Sequence, residues 1–218
     1  MAALVLAGLA MAQDHVAFST EDGVQISADL YGKGDRGVVL AHGGQFTKAS
    51  WAKQAKALAD EGFRVLAIDF RGYGQSRNGG QTKYRGNDYC LDVLAAVRYL
   101  HQTGVRSVSV VGASFGGAAA AEAAVKAKPG EIRRLVLLAS SPIDEPQRIK
   151  GRKLFVVSRE DLQADGSPRL PKVREQFERA PDPKELLILE GSAHAQQIFA
   201  TDQGDRLMGE IVRFLKEP

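Results

Sequence analysis

The chain has 218 residues, of which 44% are hydrophobic and 25% charged, a composition ordinary for one globular domain that buries its core without disulfides. The formal net charge is only +3, and the basic residues are spread along the chain instead of forming a run, which argues against a nucleic-acid partner. Cys90 is the single cysteine, so an intramolecular disulfide and a cysteine-based zinc site are excluded.

Residues 1–12 are apolar and end in Ala10-Met11-Ala12, the small-x-small pattern that precedes a signal-peptidase cleavage site. The segment is too short to span a bilayer, so no stable membrane insertion is expected, and it lacks the basic start of a signal peptide. Two interpretations stand: a signal peptide, which we favour, or a short apolar helix packed on the domain. The first predicts a periplasmic or secreted protein and the second a cytoplasmic one.

Strand-like and helix-like segments alternate from residue 13 onward, which predicts one α/β domain over residues 13–218. The turn Asp22-Gly23 joins the first two strands and predicts an antiparallel hairpin. Strands separated by helices predict a mostly parallel sheet of about eight strands, with helices on both faces. The predicted strands cover 16–20, 24–31, 37–41, 64–70, 105–112, 135–139, 154–157 and 185–189, and the predicted helices cover 51–61, 88–102, 115–128, 172–179 and 206–216.

Residues 112–116 read Gly-Ala-Ser-Phe-Gly, the G-x-S-x-G spacing, between a predicted strand and a predicted helix. A turn that sharp strains the backbone of Ser114 and holds its hydroxyl at a helix N-terminus, where free N–H groups favour developing negative charge. A helix-capping serine is the alternative, but a cap does not need small residues on both sides at this spacing. The pattern in this context predicts a nucleophilic serine.

Three further motifs accompany the Gly-Ala-Ser-Phe-Gly motif at 112–116: Ala-His-Gly-Gly at 41–44, Asp-Phe-Arg-Gly-Tyr-Gly-Gln-Ser at 69–76 and Gly-Ser-Ala-His at 191–194. Together the four motifs, in this order, resemble the small serine α/β-hydrolases from about residue 16 onward. The resemblance implies an esterase-like enzyme that cleaves a small acyl ester or thioester through an acyl-enzyme, with no cofactor and no metal. Acyl transfer, cleavage of a peptide or carbon–carbon bond, and a catalytically idle binding protein of this fold are the alternatives. The sequence does not indicate the oligomeric state.

A serine nucleophile needs a base, and the chain offers four histidines. His194 lies in a loop after a predicted strand, between two alanines, and by position and by resemblance it is the base. The resemblance makes His42 a structural residue beside the oxyanion hole. His15 lies in the N-terminal strand region, and His101, near a helix end, is expected on the surface.

The third member of a triad is a carboxylate that orients the base and stabilises its protonated form. The resemblance places it in the loop after the predicted strand 154–157. Asp161 matches that position best, and Glu160 and Asp165 remain alternatives because the loop length varies there. Asp69, at the end of an earlier strand, is expected to accept hydrogen bonds from local backbone N–H groups and is the main rival outside this loop.

An oxyanion hole requires two backbone donors directed at the place where negative charge develops. One is predicted at the N–H of Phe115, and the other at Gly44 or Gln45, with a slight preference for Gln45. The link over residues 143–152 is too short for a cap domain. The site is therefore expected to be open, with a shallow acyl pocket.

Overall fold

The computed structural model describes residues 13–76 and 88–217. The N-terminal segment 1–12, with its predicted signal peptide, lies outside the described residues. Within the two described ranges, no helix is both long enough and apolar enough to cross a membrane.

The first two strands form the antiparallel hairpin that the Asp22-Gly23 turn predicts. Strand β1 (Asp14–Ser19) pairs with β2 (Gln25–Tyr31), and Gly23 has a φ of +85°, which glycine adopts without strain. Thr20 closes the turn, because its N–H donates to the Val24 carbonyl at 2.9 Å. The hairpin lies at one edge of the sheet.

In the described part of the chain, six more strands complete the sheet. They are β3 (Arg36–Ala41), β4 (Phe63–Ile68), β5 (Ser107–Ala113), β6 (Arg134–Leu138), β7 (Arg152–Ser158) and β8 (Lys184–Leu189). The spatial order is β1-β2-β4-β3-β5-β6-β7-β8, with β2 antiparallel to β4 and all later pairs parallel. Strands β3, β5 and β6 are almost wholly buried, which explains their continuous runs of valine and leucine. The predicted fold class is confirmed.

Among the described residues, five α-helices cover the two faces of the sheet. They are α1 (Ala52–Asp60), α2 (Tyr89–Gln102), α3 (Phe115–Lys126), α4 (Leu170–Arg179) and α5 (Gly204–Lys216). Helices α1 and α5 pack on one face through buried residues such as Leu58 and Phe214, and α2, α3 and α4 pack on the other through Val97, Ala120 and Val173. Helix α3 is rich in alanine and glycine, so its axis can lie close to the central strands.

Within residues 13–76 and 88–217, three short 3-10 helices were not predicted from the sequence: Lys48–Trp51, Pro146–Arg148 and Ala195–Ala200. Such short turns carry no apolar period by which a sequence could reveal them. The second of these is the one regular element between β6 and β7, so no domain is inserted there, as expected. The expectation that His101 lies on the surface was wrong, because its ring is half-buried against the main-chain carbonyls of Val105 and Glu131.

Candidate active site

Ser114 is the one residue between the end of β5 and the start of α3. Its φ of +53° and ψ of −119° are strained for a residue with a side chain. The flanking glycines are required: a Cβ at Gly112 would lie 2.5 Å from the Gly116 carbonyl oxygen, and a Cβ at Gly116 would lie 2.3 Å from the His42 carbonyl oxygen. The sharp turn presents the Ser114 hydroxyl at the N-terminus of α3.

His194 connects Ser114 to Asp161 through its two ring nitrogens. Nε2 lies 2.8 Å from Ser114 Oγ, and Nδ1 lies 2.8 Å from Asp161 Oδ2. The Asp161 side chain is 1% exposed and that of His194 is 30% exposed. A buried carboxylate at Nδ1 favours the tautomer in which that nitrogen carries the proton, which leaves Nε2 free to accept one from the serine.

Among the described residues, neither of the other two acidic residues of the loop after β7 forms a hydrogen bond or ion pair with His194. Among the described residues, Asp161 supplies the one carboxylate that contacts His194. Glu160 is exposed. Asp165 is exposed as well, and its Oδ1 accepts hydrogen bonds from the N–H and the hydroxyl of Ser167 at 3.0 Å and 2.6 Å. The geometry therefore favours Asp161 among the three candidates.

Asp69 has the local role expected from the sequence. Its Oδ1 accepts from the N–H of Lys48 at 2.8 Å, and its Oδ2 accepts from the N–H of Gln75 at 2.9 Å. Both carboxylate oxygens are thus occupied in holding the turn after β4 against the segment that follows β3.

Arg169, which no sequence pattern indicated, contacts Asp161. The Nε of Arg169 lies 3.0 Å from Asp161 Oδ2, at an angle unsuited to a hydrogen bond, and its Nη2 donates to the Leu162 carbonyl at 3.2 Å. The Arg169 side chain is 14% exposed, so its charge is close to the buried carboxylate and poorly screened. No local pattern marks this ion pair, because it depends on how the 161–169 loop closes.

His42 is fully buried and orients the turn that follows β3. Its Nε2 accepts the N–H of Phe70 at 3.3 Å, so its Nδ1 carries the proton and donates to the Gly43 carbonyl at 2.8 Å. Burial lowers the pKa of His42, which keeps the ring neutral. The aromatic rings packed around it belong to Phe70, Tyr73 and Phe115.

Three backbone N–H groups beside Ser114 donate to no main-chain carbonyl of the described residues. They belong to Gly44, Gln45 and Phe115, the positions predicted for the oxyanion hole. In a trans peptide the N–H points opposite to the carbonyl. The bond from His42 to the Gly43 carbonyl therefore turns the N–H of Gly44 away from the imidazole.

Ser114 and His194 open on a cavity of about 390 Å³. Its other walls are Gly43, Gly44, Gln45, Phe46, Phe115, Leu162, Gln163, Ala164, Arg169, Ala195, Gln196 and Gln197. Leu162, at 54% exposure, is a large apolar side chain available to a ligand at the rim. In the described parts of the chain, no cluster of three or more His, Cys, Asp or Glu side chains has a metal-binding arrangement. The volume is at the lower end of the range for small-molecule sites.

The sheet order, the serine turn and the histidine loop define an α/β-hydrolase architecture. A profile of the alpha/beta hydrolase fold matches residues 37–198. The chain therefore belongs to the α/β-hydrolase fold family, and the resemblance of its four motifs to that family is confirmed.

Two sequence relatives and one solved structure illustrate the similarity. A non-heme haloperoxidase of Rhodococcus erythropolis is 32% identical over 127 residues, which cover 57% of this chain and 43% of the relative. A bifunctional esterase/perhydrolase of Acinetobacter calcoaceticus is 34% identical over 128 residues, 57% of this chain and 44% of the relative. The chain thus covers less than half the length of either relative. A dienelactone hydrolase of Anabaena variabilis has a TM-score of 0.78 at 20% identity, over 94% of this chain and 96% of that one, which shows the fold alone.

Proposed function

We propose that the chain is a serine hydrolase that cleaves a small acyl ester or thioester through an acyl-enzyme on Ser114. The observation that carries the proposal is the continuous hydrogen-bonded series from Asp161 through His194 to Ser114 at a cavity. The sequence similarity to a protein named esterase/perhydrolase supports the ester class. The modest volume of the cavity supports a small acyl group.

Acylation begins when Ser114 Oγ attacks the acyl carbonyl carbon and His194 Nε2, 2.8 Å away, accepts the hydroxyl proton. Asp161 stabilises the imidazolium that forms. The electron pair of the carbonyl π bond moves to oxygen and gives a tetrahedral oxyanion. When the carbonyl re-forms, the bond to the leaving group breaks, and the departing alcohol or thiol takes the proton from His194.

The N–H groups of Phe115 and Gly44 are the proposed donors to this oxyanion. The first belongs to the opening turn of α3, where N–H groups lack helical acceptors and the helix dipole favours negative charge. Gly44 is favoured over Gln45, in place of the preference drawn from the sequence, because the bond from His42 to the Gly43 carbonyl orients the Gly44 N–H.

Deacylation repeats the same proton transfers with water as the nucleophile. His194 takes a proton from water, the resulting hydroxide attacks the acyl-enzyme carbonyl, and the ester bond to Ser114 Oγ breaks as that oxygen recovers a proton. The acyl group leaves as a carboxylic acid, and the free enzyme is restored.

Turnover of p-nitrophenyl acetate by Ser114→Ala tests the proposal. The turnover rate should fall by about 10⁴-fold or more, because the alanine side chain has no nucleophilic atom. The melting temperature should stay close to that of the wild type. Ser19→Ala, on the exposed edge strand β1, is the matched control and should keep full turnover. Full turnover by Ser114→Ala would contradict the proposal.

A further inference from the structure

One buried side-chain amide joins three loops of the site. Gln196, at 8% exposure, lies on the 3-10 helix Ala195–Ala200 directly after His194. Its Oε1 accepts the N–H of Gly43 at 2.7 Å, and its Nε2 donates to Ser50 Oγ at 2.8 Å. The amide therefore ties the histidine loop to the turn after β3 and to the 3-10 helix Lys48–Trp51.

The hydrogen bonds of Ser50 and Gly43 determine which end of the Gln196 amide faces the turn after β3. Ser50 Oγ donates its one proton to the Thr47 carbonyl at 2.6 Å, so it is left to act as an acceptor. Only the NH₂ end of Gln196 can serve that acceptor. The carbonyl end must then face Gly43, whose N–H needs an acceptor because it is buried.

Gly43 is thereby held on both sides. Gln196 holds the peptide that precedes it, and the His42 ring together with the N–H of Phe46, at 3.0 Å, holds the carbonyl of the peptide that follows. Two consecutive glycines have little conformational preference of their own. The direction of the Gly44 N–H therefore depends on these outside contacts.

We infer that Gln196 is a positioning residue for the oxyanion-stabilising turn, acting through Gly43 and Gly44 without touching the reacting atoms. The inference rests on the proposed function. Because Gln196 follows His194 by two positions, the loop that carries the base also holds the turn that carries one oxyanion donor. Its loss should weaken binding of the transition state and leave binding of the neutral substrate nearly unchanged.

Two variants separate this role from simple packing. Gln196→Met keeps the length and removes both polar contacts, so kcat for p-nitrophenyl acetate should fall by about 10- to 100-fold, less than the loss of a whole oxyanion donor, with KM nearly unchanged. Ser50→Ala removes only the partner that orients the amide and should give a smaller loss of the same kind. Gln102→Met, at the exposed end of α2, is the matched control.

The deciding readout is inhibition by trifluoroacetophenone, which forms a tetrahedral oxyanion with a nucleophilic serine, compared with acetophenone, which binds as a neutral ketone. In Gln196→Met the inhibition constant for the trifluoro ketone should rise by the same factor by which kcat/KM falls, and that for acetophenone should not change. Equal loss for both ketones, or full kcat in Gln196→Met, would overturn the inference. Ser50→Ala provides the same comparison if Gln196→Met does not fold. A wild-type enzyme that neither turns over the ester nor binds the trifluoro ketone would overturn the proposed function, and this inference with it.

Discussion

Ser114 and Asp161 reach the same histidine from two regions that are built in different ways. The serine turn is fixed by contact between backbones: Gly112 and Gly116 leave no space for a methyl group. The acid loop over residues 161–169 is closed by polar contacts instead, among them the Arg169 N–H on the Asp161 carbonyl at 2.9 Å. Adding an atom should therefore disrupt the structure of the serine turn, whereas removing a charge or a hydrogen bond should disrupt the acid loop.

The largest effect is expected when the acid loses its charge. Asp161→Asn offers an NH₂ group to His194, which favours the tautomer whose Nε2 already carries a proton, so kcat/KM for p-nitrophenyl acetate should fall by about 10⁴-fold. Glu160→Gln and Asp165→Asn, the two neighbouring carboxylates, should stay within about twofold of the wild type because neither contacts the histidine. If either of these variants lost as much kcat/KM as Asp161→Asn, that residue would be the carboxylate that orients His194.

Adding one methyl group to the serine turn should have the next largest effect. Gly116→Ala places a Cβ 2.3 Å from the His42 carbonyl oxygen, with no flexible side chain to yield. Urea denaturation should show a loss of about 3 kcal/mol or more in the free energy of unfolding. The same change at Gly209, which is exposed in α5 and has no atom of the described residues within 4 Å of the new Cβ, should instead stabilise the protein by about 0.5–1 kcal/mol. Wild-type stability in Gly116→Ala would show that the turn can move.

Removing the cation beside Asp161 should destabilise the acid loop by a smaller amount. Arg169→Met leaves the buried carboxylate without its cationic neighbour, so the free energy of unfolding at neutral pH should fall by about 1–3 kcal/mol. The matched control is Arg159→Met, whose guanidinium pairs with Glu190 in solvent and should contribute less than about 1 kcal/mol. Equal losses in both variants would mean that burial of the Arg169 pair has no consequence for stability.

The smallest effect concerns His42, which follows β3 and whose carbonyl lies beside Gly116 of the serine turn. Burial lowers the pKa of His42 in the folded protein, so below the usual histidine pKa of about 6.5 the unfolded chain takes up a proton that the folded chain does not. The contribution of His42 to the free energy of unfolding is therefore fully present above that pH and decreases as the pH falls. The free energy of unfolding of the wild type relative to His42→Asn should therefore shrink between pH of about 7.5 and about 5.5. A difference that does not vary with pH would contradict a neutral, buried His42.

The same contrast explains what the sequence could predict. The hairpin, the parallel strands and the serine turn depend on residues that lie close together in the chain, so composition and spacing indicated them. The choice of Asp161 came from resemblance, and loop spacing alone left Glu160 and Asp165 open. Gln196 could not be predicted, because its partner Gly43 lies 153 positions away in the chain.

The position of His101 was predicted wrongly for a related reason. Its carbonyl partner on Glu131 belongs to a segment 30 residues further along the chain, and no helical pattern reveals that contact. Arg169 was missed because loop closure, which sequence spacing does not encode, brings it to Asp161. Local rules therefore indicated where the site lies, and tertiary contacts decide which side chains surround the triad candidates.

Covalent labelling with a fluorophosphonate, followed by peptide mass mapping, tests most directly whether Ser114 is the nucleophile. One adduct per chain is expected, on Ser114, with labelling absent in Ser114→Ala and strongly slowed in His194→Ala because the base is missing. Circular dichroism on the same samples establishes that each variant is folded. A folded wild-type protein that stays unlabelled, or that carries the label on another residue, would contradict the assignment of Ser114 as the nucleophile.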